Sequence, residues 1–302
     1  GVDNIVEGAE IAQQRDSSLE VVLIGPKVDS QLTQVGVETE DEAYNKMEEM
    51  LDEGEIGSCV TMHYNFPIGV STVGRVNTPA RGNEMFIATT TGTTAVHRVE
   101  AMIKNGINGL VAAKAMGLKD PSVGILNLDG ARQVERALRE LDENGYKINF
   151  VESSRADGGI VMRGNDLLLG TPDIMITDTL TGNVLMKMFS SYTSGGSFES
   201  QGYGYGPGIG EDYERVVLIL SRASGSPVVA NAIGYGADLV RGKVGQLAKD
   251  EFEKVNKAGL KDILDKLTKD EKKSEEEEEV EAPATETVTA TIEGIDIMEL
   301  ED

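Results

Sequence analysis

Short aliphatic runs alternate along this chain with longer stretches whose apolar residues recur at helical spacing. The runs are LEVVLI (19–24), SCVTMHY (58–64), MFIAT (85–89), SVGILNL (122–128), INFVE (148–152), DIMIT (173–177) and RVVLILS (215–221). Runs this short suit strands rather than helices. Parallel strands need crossover connections, so the rhythm predicts a mostly parallel sheet covered by helices on both faces. The expected class is α/β with a three-layer α/β/α arrangement. LEVVLI, closed by Gly25–Pro26, is expected as a buried strand.

Helices are predicted over residues 2–15, 40–53, 93–105, 107–116 and 131–143, from about Asn183 to Tyr192, and from Pro227 to about Leu267 with an interruption near Gly242. The helix at 131–143 is the best defined, with Val134, Ala137, Leu138 and Leu141 on one face and Gly145 past its end. Between 65 and 91, Pro67, Gly69, Gly74, Pro79 and Gly82 break any long element, leaving only the strand at 85–89. Residues 194–210 read as a Gly-rich loop. Residues 1–267 form the predicted α/β unit. An acidic linker follows at 268–286, where a like-charge block stays solvated, and residues 287–302, again partly apolar, begin a further segment.

Charge excludes whole classes of partner. The net charge is −24, of which −11 falls in residues 268–302 and −13 in the remainder. Both parts repel nucleic-acid phosphates and anionic lipid surfaces. An anionic substrate would have to be held by local cations. The single Cys permits no intrachain disulfide, and neither a long apolar run nor a signal peptide is seen, which fits a cytoplasmic protein. Two His and one Cys make a structural zinc site implausible, and no Asp cluster marks a metal site. The chain starts at Gly1 rather than Met, so residues are expected upstream.

In such folds ligands bind beyond the carboxyl ends of the strands, so the loops there hold the candidate chemistry. TDTLTGNVLMK (177–187) runs from a strand end into a helix start, where free N–H groups and the helix dipole favour an anion. Thr181, Gly182 and Asn183 can donate, Lys187 adds charge, and Asp178 can orient a donor. The same residues also make an ordinary helix N-cap with a surface Lys. Thr89–Thr94 reads as a turn before a helix, in which Thr91, Gly92 and Thr93 can hold phosphate or simply cap. GYGYGPGIG (202–210) precedes a strand, not a helix, which argues against a dinucleotide site. SRASGS (221–226) offers Arg222 and Ser224 as a phosphate clamp, or a polar turn. Arg75, Arg81, Arg155 and Arg163 are further loop cations, and Asp157 and Asp166 share that loop pattern. Cys59 is either an acyl-carrying nucleophile or a small buried hydrophobe. His63 lies on the same predicted strand and the same face as Cys59.

PSVGILNLDGARQVERAL, INFVESSRADGGIVMRGNDLLLG and DIMITDTLTGNVLMK together resemble the bacterial phosphate acyltransferases of phospholipid synthesis. Asp178, Gly182, Asn183 and Lys187 keep that family's last block, while Thr179 replaces its Gly. SRASGSPVVANAI resembles its H-G-S-S loop, with Arg222 in place of His. The resemblance is closer still, over the whole chain, to the α subunits of protein C of the glycine, sarcosine and betaine reductases, including SYTSGGSFESQGYGYGPGIGEDYERVVLILSRASG and the acidic linker.

That resemblance implies an isopropylmalate dehydrogenase-like architecture of two lobes around a cleft, and a homo-oligomer, paired through the second lobe. It implies an acetyltransferase that receives an acetyl unit from selenoprotein A, works with the β subunit of protein C, and releases acetyl phosphate. Inorganic phosphate is then the substrate, with no metal and no organic cofactor. The implied site is Asp178, Asn183 and Lys187, with Thr91, Gly92, Thr93, Thr181, Gly182, Arg222 and Ser224 around phosphate. The family continues past the acidic linker to a Cys in a Gly-rich context. This chain ends at Asp302, so the main nucleophile is expected beyond it, with Cys59 as second choice. Acyl transfer from acyl-carrier protein or acyl-CoA, and a non-catalytic docking subunit, remain the alternatives.

Overall fold

The computed structural model describes residues 2–155 and 158–269. Asp157 and residues 270–302, hence nearly all of the expected acidic linker and the whole C-terminal segment, lie outside them. Thr268 and Lys269, expected to open the linker, are helical.

The amino-terminal third departs most from expectation. Helix α1 (Val2–Arg15) is as predicted, but β1 (Val22–Gly25) is only half-buried and pairs in parallel with β2 (Thr33–Gly36) in a separate two-stranded sheet. Helix α2 (Glu40–Asp52) starts on a capping box between Thr39 and Glu42. Strand β3 (Cys59–Thr61) stops before His63, so His63 is not a strand neighbour of Cys59.

The Gly- and Pro-punctuated stretch is not a loop. It forms β4 (Val70–Asn77) and the long β5 (Glu84–Thr93), paired antiparallel with an irregularity between Ser71 and Val73. Nearly all of β4 is buried. Tertiary burial on both faces overrides the punctuation, because Gly74 sits where a side chain would strike Thr90 and Met186. Strand β5 runs through Thr90–Thr93, so those residues are not a turn before a helix. The two helices expected at 93–105 and 107–116 are one, α3 (Arg98–Ala115).

The rest follows the predicted rhythm. Strand β6 (Ser122–Leu126), α4 (Ala131–Glu143) and β7 (Asn149–Phe150) lead to β8 (Val161–Met162) and the short α5 (Gly164–Leu169), both of which fall in a stretch read as loop. Then come β9 (Ile174–Ile176) and α6 (Thr179–Ser191), which starts four residues before the expected Asn183. Part of the Gly-rich stretch is β10 (Gly206–Ile209), a buried strand. Strand β11 (Val217–Ile219), α7 (Ser226–Arg241) and α8 (Val244–Lys257) follow, the two helices parting at Gly242–Lys243 as expected.

The main sheet has the order β3-β11-β10-β4-β5-β9-β6-β7, with β8 beside β6. Pairings are parallel for β3–β11, β5–β9, β9–β6, β6–β7 and β6–β8, and antiparallel for β11–β10, β10–β4 and β4–β5. The class is therefore α/β with a mostly parallel sheet. Alternation along the strands separates the two covering layers. Met85, Ile87 and Met175 pack against Met186 and Phe189 of α6. On the other face, Gly106 and Gly109 of α3 lie against Ile176 and Ile174, where an added Cβ would come within 2.7 and 2.6 Å of those side chains. Residues up to Ile263 make one unit; the described residues of the next, 264–269, are helical.

Candidate functional site

Parallel strands β5, β9 and β6 deliver their carboxyl ends side by side, and α3, α6 and α4 start just beyond. The first turn of α6 is fastened to the last residues of β5. Thr177 Oγ1 donates to the Thr89 carbonyl (3.2 Å), Asn183 Nδ2 to the Thr90 carbonyl (3.0 Å) and Thr179 Oγ1 to the Gly92 carbonyl (3.1 Å). Gly182 lies flat on this strand: a Cβ there would stand 1.7 Å from the Thr89 carbonyl oxygen. Gly182 thus sets the distance between helix and strand, and Asn183 holds them in register.

Asp178 is the N-cap of α6, its Oδ1 accepting from the Thr181 amide (2.7 Å). Its Oδ2 accepts from Arg98 Nη2 at 2.5 Å. Burial pushes the carboxyl up, but the Thr181 amide and the Arg98 guanidinium outweigh it and hold Asp178 below the usual carboxylate range. Arg98, which also reaches Asp129 at 3.4 Å, was not among the expected residues. Its signal was available: a cation at the first position of a helix opposes the helix dipole, which calls for a local anion.

Thr91, Gly92 and Thr93 line a cavity of about 320 Å³ with Met62, His63, Tyr64, Phe66 and Ile219. They reach it as the end of a strand; the nearest helix starts at Arg98, after an N-cap at His97 that bonds through no side chain. Behind them, buried Asn105 accepts from Thr94 Oγ1 (2.5 Å) and Ser71 Oγ (3.2 Å) and donates to the Thr177 carbonyl (3.1 Å). Asn108 donates to the Ile209 carbonyl (2.9 Å). These two amides tie β4, β5, β9 and β10 behind the site. The sequence signal was a pair of Asn three apart inside an apolar helix.

Lys187 and Ser224 meet elsewhere. Lys187, further along α6, donates to Tyr205 Oη (3.0 Å), and its Nζ stands 3.9 Å from Glu199 Oε1. Glu199 is buried and accepts from Tyr205 Oη (2.8 Å) and Ser224 Oγ (2.7 Å). Burial and the neighbouring Glu199 raise the Tyr205 phenol, so it stays a donor. Arg222, two residues before Ser224, is exposed. The two groups are joined at Thr90, whose hydroxyl donates to the Tyr205 carbonyl (2.6 Å) while its own carbonyl holds Asn183.

Cys59 stands apart, at the sheet edge opposite Val217. Burial pushes its thiol up to about 12, so at neutral pH it is protonated, a poor state for a nucleophile. Asp166 caps α5: it accepts from the amides of Ser154 and Arg163 (both 2.8 Å) and from Ser153 Oγ (2.7 Å), and has no acid–base position.

The strand order and the helix starts beyond β5 and β9 define an α/β fold whose crevice lies at the carboxyl ends of its parallel strands. The chain superposes on a branched-chain phosphotransacylase from Enterococcus faecalis V583 with a TM-score of 0.52 and 16% identity, covering 76% of this chain and 94% of that one. The chain belongs to the fatty acid synthesis protein family, whose model matches residues 1–302. Within it, the chain is 63% identical over its full length to the glycine/sarcosine/betaine reductase complex component C subunit alpha of Peptoclostridium acidaminophilum, covering 78% of that protein. It is 28% identical over 163 residues to a phosphate acyltransferase of Geobacillus sp. (strain WCH70), 47% of this chain and 46% of that one.

Proposed function

We propose that this chain transfers an acetyl group from a thioester to inorganic phosphate, forming acetyl phosphate, as the α subunit of component C of a glycine, sarcosine or betaine reductase. The observation that carries this is the cavity ending in Thr91–Thr93, whose Gly92 carbonyl accepts from Thr179 Oγ1 in the first turn of α6. Strand-end hydroxyls open to a cavity next to a helix start suit a phosphate oxyanion. The similarity to the reductase component supplies the substrate class.

A phosphate oxygen attacks the thioester carbonyl, the carbon–sulfur bond breaks, and the sulfur leaves with the electron pair. The proton lost by hydrogen phosphate ends on that sulfur. Donors at the strand end and helix start steady the tetrahedral oxyanion. Asp178 holds Arg98 and the first turn of α6 in place, Asn183 and Gly182 fix that turn on β5, and the half-exposed Lys187 offers a cation to the acyl donor. The chemistry needs no metal or organic cofactor. In this reading the donor sulfur is that of a thiol other than Cys59. Selenoprotein A as acetyl source and the β subunit as companion complete the reading, in the cytoplasm; no helix among the described residues is long and apolar enough to cross a membrane.

A homo-oligomer through α6 belongs to the same proposal. Leu180, Val184, Met188 and Tyr192 recur every fourth residue and are exposed, and the helix carries a single charge, Lys187. Sedimentation of the Met188→Glu protein tests it: a lighter species is expected, and an unchanged mass overturns it.

Arsenate-dependent breakdown of acetyl phosphate, assayed with the partner subunit present, tests the activity. Turnover that falls at least tenfold in Arg98→Ala supports the reading; wild-type protein inert with acetyl phosphate but active with acyl-CoA moves the donor to coenzyme A, and inertness with both leaves a docking role.

A further inference from the structure

The cavity that ends in Thr91–Thr93 has an apolar side, formed by Met62, Phe66, Ile68 and Ile219. Met62 and Ile68 are exposed, whereas Phe66 and Ile219 are half-buried. Strand pairing places these last two together. Leu218 of β11 is paired with Pro207 of β10 and packs on Gly236 of α7. Side chains alternate along a strand, so Ile219 and Gly208, each one residue further on, face away from α7. On that face the ring of Phe66 covers Gly208, where an added Cβ would strike three of its carbons. Thr72, opposite Gly208 on β4, shares the face, and its hydroxyl stands 2.6 Å from that of Thr90. An aromatic floor therefore adjoins the hydroxyl-bearing end of β5.

The ring is held in place. Tyr64 and Tyr213 meet it edge to face, with centroids 5.0 and 5.8 Å away. Tyr64 is itself anchored, its Oη donating to Glu48 Oε1 at 2.6 Å and accepting from Arg215 Nη1 at 3.2 Å. Gly208 lies behind the ring and the two tyrosines lie beside it, while Phe66 also lines the cavity. A fixed ring measures length where a flexible side chain would yield. We propose that Phe66 sets the length of acyl chain that this site accepts, the chain lying against Phe66 and Ile219 with its carbonyl toward Thr91–Thr93. The proposal rests on acyl transfer to phosphate and adds to it a residue for specificity. Gly208 belongs to the same device, because only a residue without a side chain lets the ring sit so close to the sheet.

The test is arsenate-dependent breakdown of acetyl phosphate and of butyryl phosphate, each with the partner subunit present. The readout is the ratio of kcat/KM for the two chains. One methylene in an apolar pocket changes such a ratio by about 10- to 200-fold. Phe66→Ala vacates the space of the ring and is expected to raise butyryl over acetyl at least tenfold. Phe66→Leu, which keeps more of the packing, is expected to move the ratio the same way by less, and carries the test if the Ala protein does not fold. Gly208→Ala pushes the ring off the sheet and is expected to lower the ratio. A ring with a structural role alone would slow both substrates together. An unmoved ratio in all variants, with the wild type active on acetyl phosphate, overturns the role of Phe66 and leaves acyl transfer standing. A ratio that rises in Gly208→Ala as it does in Phe66→Ala also overturns it, because a loosened fold and not the ring would then admit the longer chain. Wild-type protein inert with both acyl phosphates overturns the transfer reaction and this role with it.

Discussion

The two ends of α6 solve opposite problems. At its start, Asp178 and Arg98 form a partly exposed ion pair beside the strand end Thr91–Thr93, a charged station. About two and a half turns on, Lys187 touches a network whose centre, Glu199, is closed off from solvent and fully occupied by Tyr205 and Ser224. One continuous stretch of sequence, 177–187, therefore feeds two sites. The first is held together by backbone contact with β5; the second by a buried carboxylate. In the proposed function the first is the station that takes up the anion. The second resists change, because each hydroxyl it holds would be left unpaired by loss of Glu199.

Gly182→Ala breaks the first station hardest. Its Cβ meets a backbone carbonyl that cannot swing away, so α6 must lift from β5; a loss of about 3 kcal/mol or more is expected, with phosphate-dependent turnover abolished. Denaturant unfolding beside the arsenate assay checks both. Glu199→Ala tests the second station, and a loss of about 3 kcal/mol is expected from two orphaned hydroxyls and a lone Lys187, while Lys187→Ala, whose ammonium is half-exposed, is expected to lose less than about 1 kcal/mol. Equal losses in the two would show that the ion pair, not the hydroxyl network, holds Glu199.

Asp178→Asn comes next, costing about 1 kcal/mol at neutral pH. Here the comparison gains a pH axis. The folded pKa of Asp178 is depressed, so its stabilisation is complete above the unfolded value of about 3.9 and is lost as pH falls through the folded one. The Asn protein is expected to show a flatter acid limb in melting temperature against pH. The smallest structural effect is expected from Arg98→Ala, under about 1 kcal/mol because the ion pair is half-exposed, although turnover falls at least tenfold. A stability loss as large as that of Glu199→Ala would make Arg98 a structural residue and remove the distinction between the stations.

Much of this was legible. The strand at 122–128, the helix at 131–143 and the break near Gly242 carry their periodicity and their punctuation locally, and the structure keeps them. The 177–187 motif was legible as a strand end feeding a helix start, and Asp178 takes the N-cap that such a start needs. The misreadings share a cause. Pro67, Gly69, Gly74, Pro79 and Gly82 look like loop punctuation, yet β4 forms between them because its strand is buried on both faces. Thr90–Thr93 looks like a turn, yet it extends β5, because β4 on one side and the α6 first turn on the other satisfy its backbone. The Gly-rich 202–210 stretch becomes β10 in part because Gly206 passes within 1.8 Å, at a notional Cβ, of the Val73 carbonyl. Only a residue without a side chain fits there.

What the sequence by itself determined is therefore the alternation, the layer architecture and the chemical character of the loops, since these depend on spacing and residue type within a few residues. Only the tertiary structure decided that Arg98 reaches Asp178 and that Lys187 and Ser224 share a buried Glu199. Those outcomes rest on pairs between 12 and 80 residues apart in the chain, and on how much water each pair keeps. Local periodicity carries no information about either.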